Sequence, residues 1–553
     1  MSENRYVIGI DISTQAITAM LIGVMEEEGS PSELMISSAW MASRQCRDDI
    51  DRKTPSTWVH LIRECISDLR KQTREAELAE SIGISTTFPG AFTILADGLI
   101  HPQFVSLYDN TDDVGISDGR FEELLEKAEA DTFNRMWSGT MAIGTAHLVK
   151  FAGLRLENAR AIVPPNTAFS YALLHSAGID VNPSELISDF TQTIIGGLYD
   201  PTTGLPVPSN VLNLLNAAVP GINWDHLKDI LPKAVPSWRN ILSDQSLPNV
   251  RKLLGLPNLR SVSIGAGDSP LGALALLESP DTIINIRGSS DSPMLIMDSP
   301  KPRNTRRETV CHYPLPTVRT LADSPWCAIA PMLRSGKVWD WVRKLRFSDY
   351  SPNADAELET MAIRALKRRL KAPKDSLASK PLRFSTALGG ERAPNWDPYA
   401  TGSITGLIEA HDIGDIALAA LEGMSITLRQ CISASEKRYD IYPNKQLIAG
   451  GPTRNALWNW LTQIYTGKKT SVTTFSDASL LGAAMIGYGA SFDGREDDSL
   501  IVGRLLALSR LASTHPLISP VPVKPPDDEC AALEAEYTHQ AETLLRESNK
   551  STK

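Results

Sequence analysis

A chain of 553 residues is too long for one hydrophobic core and predicts two large domains, each able to bury its own. The net charge of -10 and pI near 5.5 argue against a nucleic-acid partner, and six scattered cysteines with no C-x-x-C pair argue against a disulfide framework or a zinc site. The sequence opens without a charged n-region and apolar h-region, and no apolar run reaches membrane-spanning length, so the expectation is a cytoplasmic protein without a membrane partner.

Residues 7–23, VIGIDISTQAITAMLIG, set two apolar strand-like runs around Asp11 and a Ser13-Thr14-Gln15 turn. Small hydroxyl and amide side chains leave the backbone N–H groups of such a turn free to face an anion. A carboxylate beside it is placed to hold a divalent cation, usually through water. An ordinary β-hairpin with an aspartate in its turn would read the same over this stretch alone. Residues 55–71 read as a helix with Trp58, Leu61, Ile62, Cys65 and Leu69 as its apolar positions and Thr54 or Ser56 as cap. Residues 81–85 form a short apolar strand and 90–95 begin another. The Thr86-Thr87-Phe88-Pro89 turn between them sits where an α/β domain presents substrate contacts. Residues 101–113 add a loop of aromatic and acidic side chains, and residues 121–153 and 164–177 read as helical cover.

Residues 261–277, SVSIGAGDSPLGALALL, pass from a buried strand through a glycine turn at 265–267 into a helix with Pro270 near its first turn. Asp268 falls near the helix start, where the macrodipole favours the ionised form. An ionised carboxylate beside two glycines is a candidate general base; a plain capping aspartate is the competing reading. Residues 283–297, IINIRGSSDSPMLIM, repeat the opening hairpin, with Gly288, Ser289 and Ser290 in the turn and Ile286 where Asp11 stood. The duplication suggests two related domains facing a shared cleft, the first supplying metal and phosphate contacts and the second phosphate contacts only. Residues 298–309 and 370–381 read as surface loops, and 412–439 as a long helix. A buried strand at 447–451 ends in Gly450-Gly451 and leads into a helix from 453, a junction that lets a planar ligand approach the backbone. Residues 478–489 read as a small-residue helix packed tightly, 516–526 as a proline-rich linker, and 527–547 as a solvated helix.

In this order the chain resembles the FGGY family of carbohydrate kinases, over about residues 7–489. GIDISTQ (9–15) is similar to the family's first phosphate motif, GAGD (265–268) to its catalytic-aspartate turn, and RGSSDS (287–292) to its second phosphate motif. GGERAPNWDPYATGSITGL (389–407), the helix containing LEG (421–423) and IAGGPTRNALW (448–458) complete the match. The resemblance implies an α/β fold of two actin-like (ribonuclease H-like) ATPase domains around a central cleft. It implies division as 1–268 for substrate, metal and base, 269–513 for nucleotide, and 514–553 for a linker and terminal helix. It further implies ATP and Mg2+, with Asp11 on the metal and Asp268 as base. Thr14, Gln15, Gly288 and Ser289 would surround the phosphates, and Gly450, Gly451 and Asn455 would receive the nucleoside. Thr87, Phe88, Tyr108, Asp109 and Asp268 would face a small carbohydrate, in a protein compatible with a homodimer.

The substrate segments depart from the family pattern. Xylulokinases usually carry Gly-Gln-Met-His where this chain has Thr86-Thr87-Phe88-Pro89, and glycerol kinases an Arg-Glu pair; the family's Trp-x-Asp-x-Arg loop appears as Tyr108-Asp109-Asn110-Thr111-Asp112. Ser269 follows the base where xylulokinases generally have Asn. An acidic loop without its Arg favours a neutral ketose or polyol, a pentulose such as xylulose, over a sugar acid, whose carboxylate would want a cation. Arg44 and Arg47 could supply one. The same departures keep open a sugar-kinase-like protein that binds nucleotide or sugar without ordinary kinase activity.

Overall fold

Alternating and then continuous apolar residues make the opening hairpin. In the computed structural model, β1 (Glu3–Ile12) and β2 (Ala16–Glu27) pair antiparallel, from Glu3 opposite Glu26 to Ile12 opposite Ile17. The structure describes residues 3–13, 16–45, 54–106, 115, 119–277, 279–303, 305, 308–347, 351, 353–374, 376–473 and 475–551. β3 (Ser30–Gln45) extends the sheet beyond β2. The helix α1 (Pro55–Gln72), capped by the Thr54 side chain on the Thr57 N–H, buries Trp58, Val59, Ile62, Cys65, Ile66 and Leu69. The chain then returns as β4 (Ala79–Thr86), parallel to β1 on the side away from β2, with Asp11 opposite Ser85 and Ile12 opposite Thr86. Two short pieces, Ser261–Val262 and Ala266–Gly267, lie parallel to β4, with Gly267 opposite Thr86.

The chain clusters into two units: Met1–Glu278 with Met297–Cys327 and Asp477–His515, and Ser279–Ile296 with Ala328–Ser476 and Pro516–Lys553. These boundaries differ from the division at 268 and 513, because residues 269–278, 297–327 and 477–515 all cluster with the first unit. Backbone contact explains the last of these. The helix Ala478–Ala490 lies so close to the first sheet that a Cβ at Gly9 would sit 2.4 Å from the Leu480 carbonyl oxygen, and one at Gly83 only 1.7 Å from that of Ala483. The small-residue helix is therefore tightly packed, as expected, but on the sheet that carries Asp11.

The 297–327 segment is tied to the same unit by Asn134, whose amide donates to the His312 carbonyl at 2.9 Å and accepts the His312 N–H at 2.6 Å. Arg303, expected in a surface loop, is 4 % exposed and lies 3.5 Å from Glu129. An ion pair at that depth satisfies a charge that could not otherwise leave water.

In the second unit, Thr282–Arg287 and Asp291–Met297 form an antiparallel hairpin, and Lys445–Ala449 runs parallel to its first strand with Ile286 opposite Ala449. This repeats the β2-β1-β4 arrangement. The long helix Ile413–Tyr439 begins with a reciprocal Asp412/Asp415 capping box. The C-terminal helix Glu534–Ser551 is not solvated on all sides: Tyr537, Ala541 and Leu544 form a buried stripe at helical spacing. The Tyr537 hydroxyl donates to Glu422 at 2.6 Å and its ring stacks on Trp460 at 5.4 Å. The five described cysteines are free and buried. Among the described residues no helix is long and apolar enough to cross a membrane.

Gly83→Ala is expected to destabilise the protein at the upper end of the roughly 1–3 kcal/mol typical of overpacking, since backbone lies on both sides of the clash. Gly503→Ala, on the exposed face of the helix Asp498–Thr514 with open space around it, should stabilise by about 0.5–1 kcal/mol. Thermal unfolding of the two variants checks the pair, and a Gly83→Ala midpoint equal to wild type would contradict the packing.

Candidate active site

Parallel strands in register deliver their carboxyl-end residues to one side of the sheet. β1 ends with Asp11, β4 with Ser85 and Thr86, and the Ala266–Gly267 strand leads directly into Asp268, the first residue of the helix Asp268–Ala275. The Ser85 hydroxyl donates a short hydrogen bond to Asp11 Oδ1. Burial pushes the Asp11 carboxyl up to about 7, helped by the negative charges of Asp268 and Asp477 and opposed by hydrogen bonds from Ser85 and Ser479. Asp268 is pushed up to about 6, again chiefly by burial, although the Ser269 N–H at 2.6 Å and hydroxyl at 3.2 Å hold its Oδ1.

The raised Asp268 value corrects the expectation that the helix start would favour its ionised form. The dipole is worth about 0.3–1 kcal/mol, whereas moving a carboxyl from 3.8 to about 6 corresponds to roughly 3 kcal/mol of net disfavour for the charge. Burial wins. The result still suits a base, since a carboxyl near 6 is mostly ionised at neutral pH and holds a proton far better than an ordinary aspartate.

Gly265, at φ +77°, has the left-handed backbone its residue type allows, and a Cβ there would meet the Ile84 carbonyl oxygen at 2.2 Å. Ala266–Gly267 is strand and not turn, so only the start of the glycine segment bends. The Thr87 N–H donates to the Ile12 carbonyl at 3.2 Å, which laces the ends of β4 and β1 together. Phe88 is 6 % exposed and lies across Gly267, where a Cβ would be 2.4 Å from its ring. Its ring meets Tyr313 edge-on at 5.7 Å. Tyr313 and Asp477 were not singled out from the sequence. Both reach this place through segments distant in the chain, and burial together with the Asp268 charge raises the Tyr313 hydroxyl well above its usual value. The serine and acid just ahead of the small-residue helix, SDAS at 476–479, were the one local hint. Thr14, Gln15, Tyr108 and Asp109 lie outside the described residues.

The second unit holds the other expected contacts. Its Gly288-Ser289 turn is pinned by the Gly336 N–H to the Gly288 carbonyl at 3.0 Å and the Ser335 N–H to the Ser289 carbonyl at 2.9 Å. Arg287, fully buried, donates to Asp291 at 3.2 Å and Thr462 at 3.0 Å and lies 4.2 Å over the Trp458 ring. Gly450, at φ +120°, presses on the Arg287 carbonyl, which a Cβ would meet at 1.9 Å. Gly451 is exposed and opens a short 3-10 turn, Gly451–Arg454. Asn455 caps the helix Ala456–Thr466, which starts three residues later than expected, by accepting the Trp458 N–H at 2.8 Å. The cap uses its carbonyl oxygen, not its amide nitrogen. The first unit thus gathers Asp11, Thr87, Phe88 and Asp268, and the second Gly288, Ser289, Gly450, Gly451 and Asn455.

Residues 289–491 match the model of the FGGY family of carbohydrate kinases, C-terminal domain. A gluconokinase from Bacillus subtilis is 25 % identical over 295 residues, which cover 50 % of this chain and 52 % of that protein. A xylulose kinase from Escherichia coli is 25 % identical over 274 residues, 49 % of this chain and 50 % of its own. The matched stretches thus span about half the length of these relatives. In three dimensions the chain is similar to the crystal structure of gluconate kinase from Lactobacillus acidophilus, with a TM-score of 0.72 at 18 % identity over 99 % of this chain and 98 % of that one. The fold is the two-domain actin-like ATPase fold, and residues 289–491 match the C-terminal domain of the FGGY family of carbohydrate kinases.

A carboxyl raised from 3.8 in the unfolded chain to about 7 in the folded one keeps a proton that the unfolded chain releases. Its contribution to stability is full below about pH 4 and is lost as pH rises through 7. Asp11→Asn, which carries no titrating group, is expected to raise the unfolding midpoint at pH 8 and to raise it by less than half as much at pH 5. Equal shifts at both values, by calorimetry, would contradict the buried-acid assignment.

Proposed function

We propose that this protein is an ATP-dependent carbohydrate kinase that moves the γ-phosphate of ATP to a hydroxyl of a neutral ketose or polyol, with a pentulose such as xylulose the first candidate. The observation that carries the reading is the pair Asp11 and Asp268, brought by strand register to one end of one sheet and both raised by burial. Phosphoryl transfer asks a protein mainly for positioning and charge neutralisation, with one group to take the acceptor's proton. Asp268 takes that proton on its carboxylate, and the Ser269 N–H and hydroxyl keep the carboxylate oriented while it does so. Asp11, held by the Ser85 hydroxyl at the strand end, is the carboxylate that would hold a divalent cation through water. A single carboxylate suits Mg2+, which keeps most of its water. Bound there, Mg2+ would neutralise charge on the phosphates.

The Gly288-Ser289 and Gly450-Gly451 turns are the phosphate and nucleoside contacts of the same reading, with Asn455, and Thr14 and Gln15 join the phosphate contacts. Thr87, Phe88, Tyr108 and Asp109 belong to the acceptor side. Support for a neutral acceptor comes from Arg44, which is already engaged by Glu64 at 3.0 Å and by Asp68. The similarity to a gluconokinase puts a sugar acid on the panel as the second reading. A cytoplasmic location and a homodimer belong to the same proposal.

Asp268→Asn is expected to cut turnover by about 100- to 10,000-fold, the range for loss of a general base, while nucleotide binding survives. ADP release measured with Mg-ATP across pentuloses, polyols, hexuloses and gluconate should peak on a neutral acceptor. A peak on gluconate would transfer the assignment to sugar acids, and unchanged turnover in the variant would remove Asp268 from its role.

A further inference from the structure

Behind the strand that delivers Asp268 lies a buried carboxylate that no step above uses. Asp189 caps the short helix Phe190–Ile195 and accepts four hydrogen bonds: from the Thr191 N–H at 2.8 Å, the Gln192 N–H at 3.3 Å, the Asn166 amide at 3.1 Å and the Ser237 hydroxyl at 3.0 Å. All four donors want an ionised acceptor.

Three of the four residues around that carboxylate, Ser237, Thr191 and Gln192, have a second partner at the strand ends of the site. Alternate N–H groups of a strand point the same way. In the Ala266–Gly267 piece those facing away from β4 belong to Gly265 and Gly267, and no further strand pairs with them. The Ser237 carbonyl accepts the first and the Thr191 hydroxyl the second, both at 3.1 Å. Gln192 reaches the neighbouring strand, where its amide nitrogen donates to the Thr86 hydroxyl at 2.5 Å. Thr86 is the register partner of Gly267 and follows Ser85, the residue that holds Asp11. One buried acid therefore orders side chains that grip two adjacent strand ends at the same level. The grip stands one residue before Asp268 on one strand and one residue past Ser85 on the other.

We propose that Asp189, acting through Ser237, Thr191 and Gln192, is a positioning centre that sets the placement of Asp268 and Asp11 for phosphoryl transfer, a role that rests on the kinase reading. Gln192 gives the role away by its cost. Among the described residues its side-chain oxygen is buried without a partner, which an apolar residue of the same length would avoid. What the amide gains there is the hydrogen bond its nitrogen makes to Thr86.

The test uses the full chain and its best acceptor. Gln192→Met keeps the length, removes the donor to Thr86 and deletes the unpaired oxygen. It should leave the unfolding midpoint equal or higher while lowering kcat about 10- to 100-fold, the scale on which a misplacement of about 1 Å acts. Thr191→Val should lower kcat by a similar factor with the KM for ATP within about twofold, because the proposed nucleotide contacts at Gly450, Gly451 and Asn455 lie in the other unit. Thr191→Ser, which restores the hydroxyl, should recover most of the activity. Unchanged kcat in both Gln192→Met and Thr191→Val overturns the proposal, and so does a loss that only tracks the folded fraction or that Thr191→Ser fails to rescue. A wild-type protein inactive on every acceptor overturns the kinase reading and this role with it, whereas an active wild type with unimpaired variants overturns this role alone.

Discussion

Parallel register at the carboxyl end of the first sheet is the constraint on which the candidate site depends. Asp11, Ser85 and Ala266 stand level on three neighbouring strands, and Ile12, Thr86 and Gly267 stand level one step further on. A slip of one residue would send every side chain of a strand to the opposite face. Asp11 would then leave Ser85, and its electrostatic coupling to Asp268 would be lost. Register is held from behind by glycine. Gly9 and Gly83 let the helix Ala478–Ala490 approach the sheet backbone to backbone, and no side chain is small enough to replace them without moving the helix.

The second unit uses the same hairpin-and-parallel-strand unit with different chemistry at its end. Where the first hairpin carries Asp11, the second carries Ile286, and the neighbouring strand ends in Ala449 and Gly450 rather than Ser85 and Thr86. The acid is gone, and what remains is backbone N–H and close approach. Arg287, below this turn, is neutralised internally by Asp291 and covered by Trp458, so it braces the turn and does not present itself as a ligand. One geometry thus supports an acid-lined end in one unit and an amide-lined end in the other.

Electrostatics in the first unit are set by burial more than by local dipoles. Burial raises both Asp11 and Asp268, and the charges of Asp268 and Asp477 raise Asp11 further. This is the arrangement expected of groups tuned for function and not for stability.

Much of this was legible in the chain itself. The two hairpins, the Asp11 and Asp268 positions, the glycines at 265, 288 and 450 and the helix at 55–71 are local properties: turn chemistry, hydrophobic period and caps depend on neighbours in sequence. The family resemblance was readable for the same reason. What the sequence could not supply was decided by contacts between distant segments. Those contacts fold 297–327 and 477–515 onto the first unit and bring Tyr313 to Phe88. They seat Tyr537 in a core where a solvated helix was expected, and raise Asp268 where its helix end alone would have lowered it. Local chemistry is written in order along the chain, but burial is a property of what arrives from elsewhere, and only the folded structure determines it.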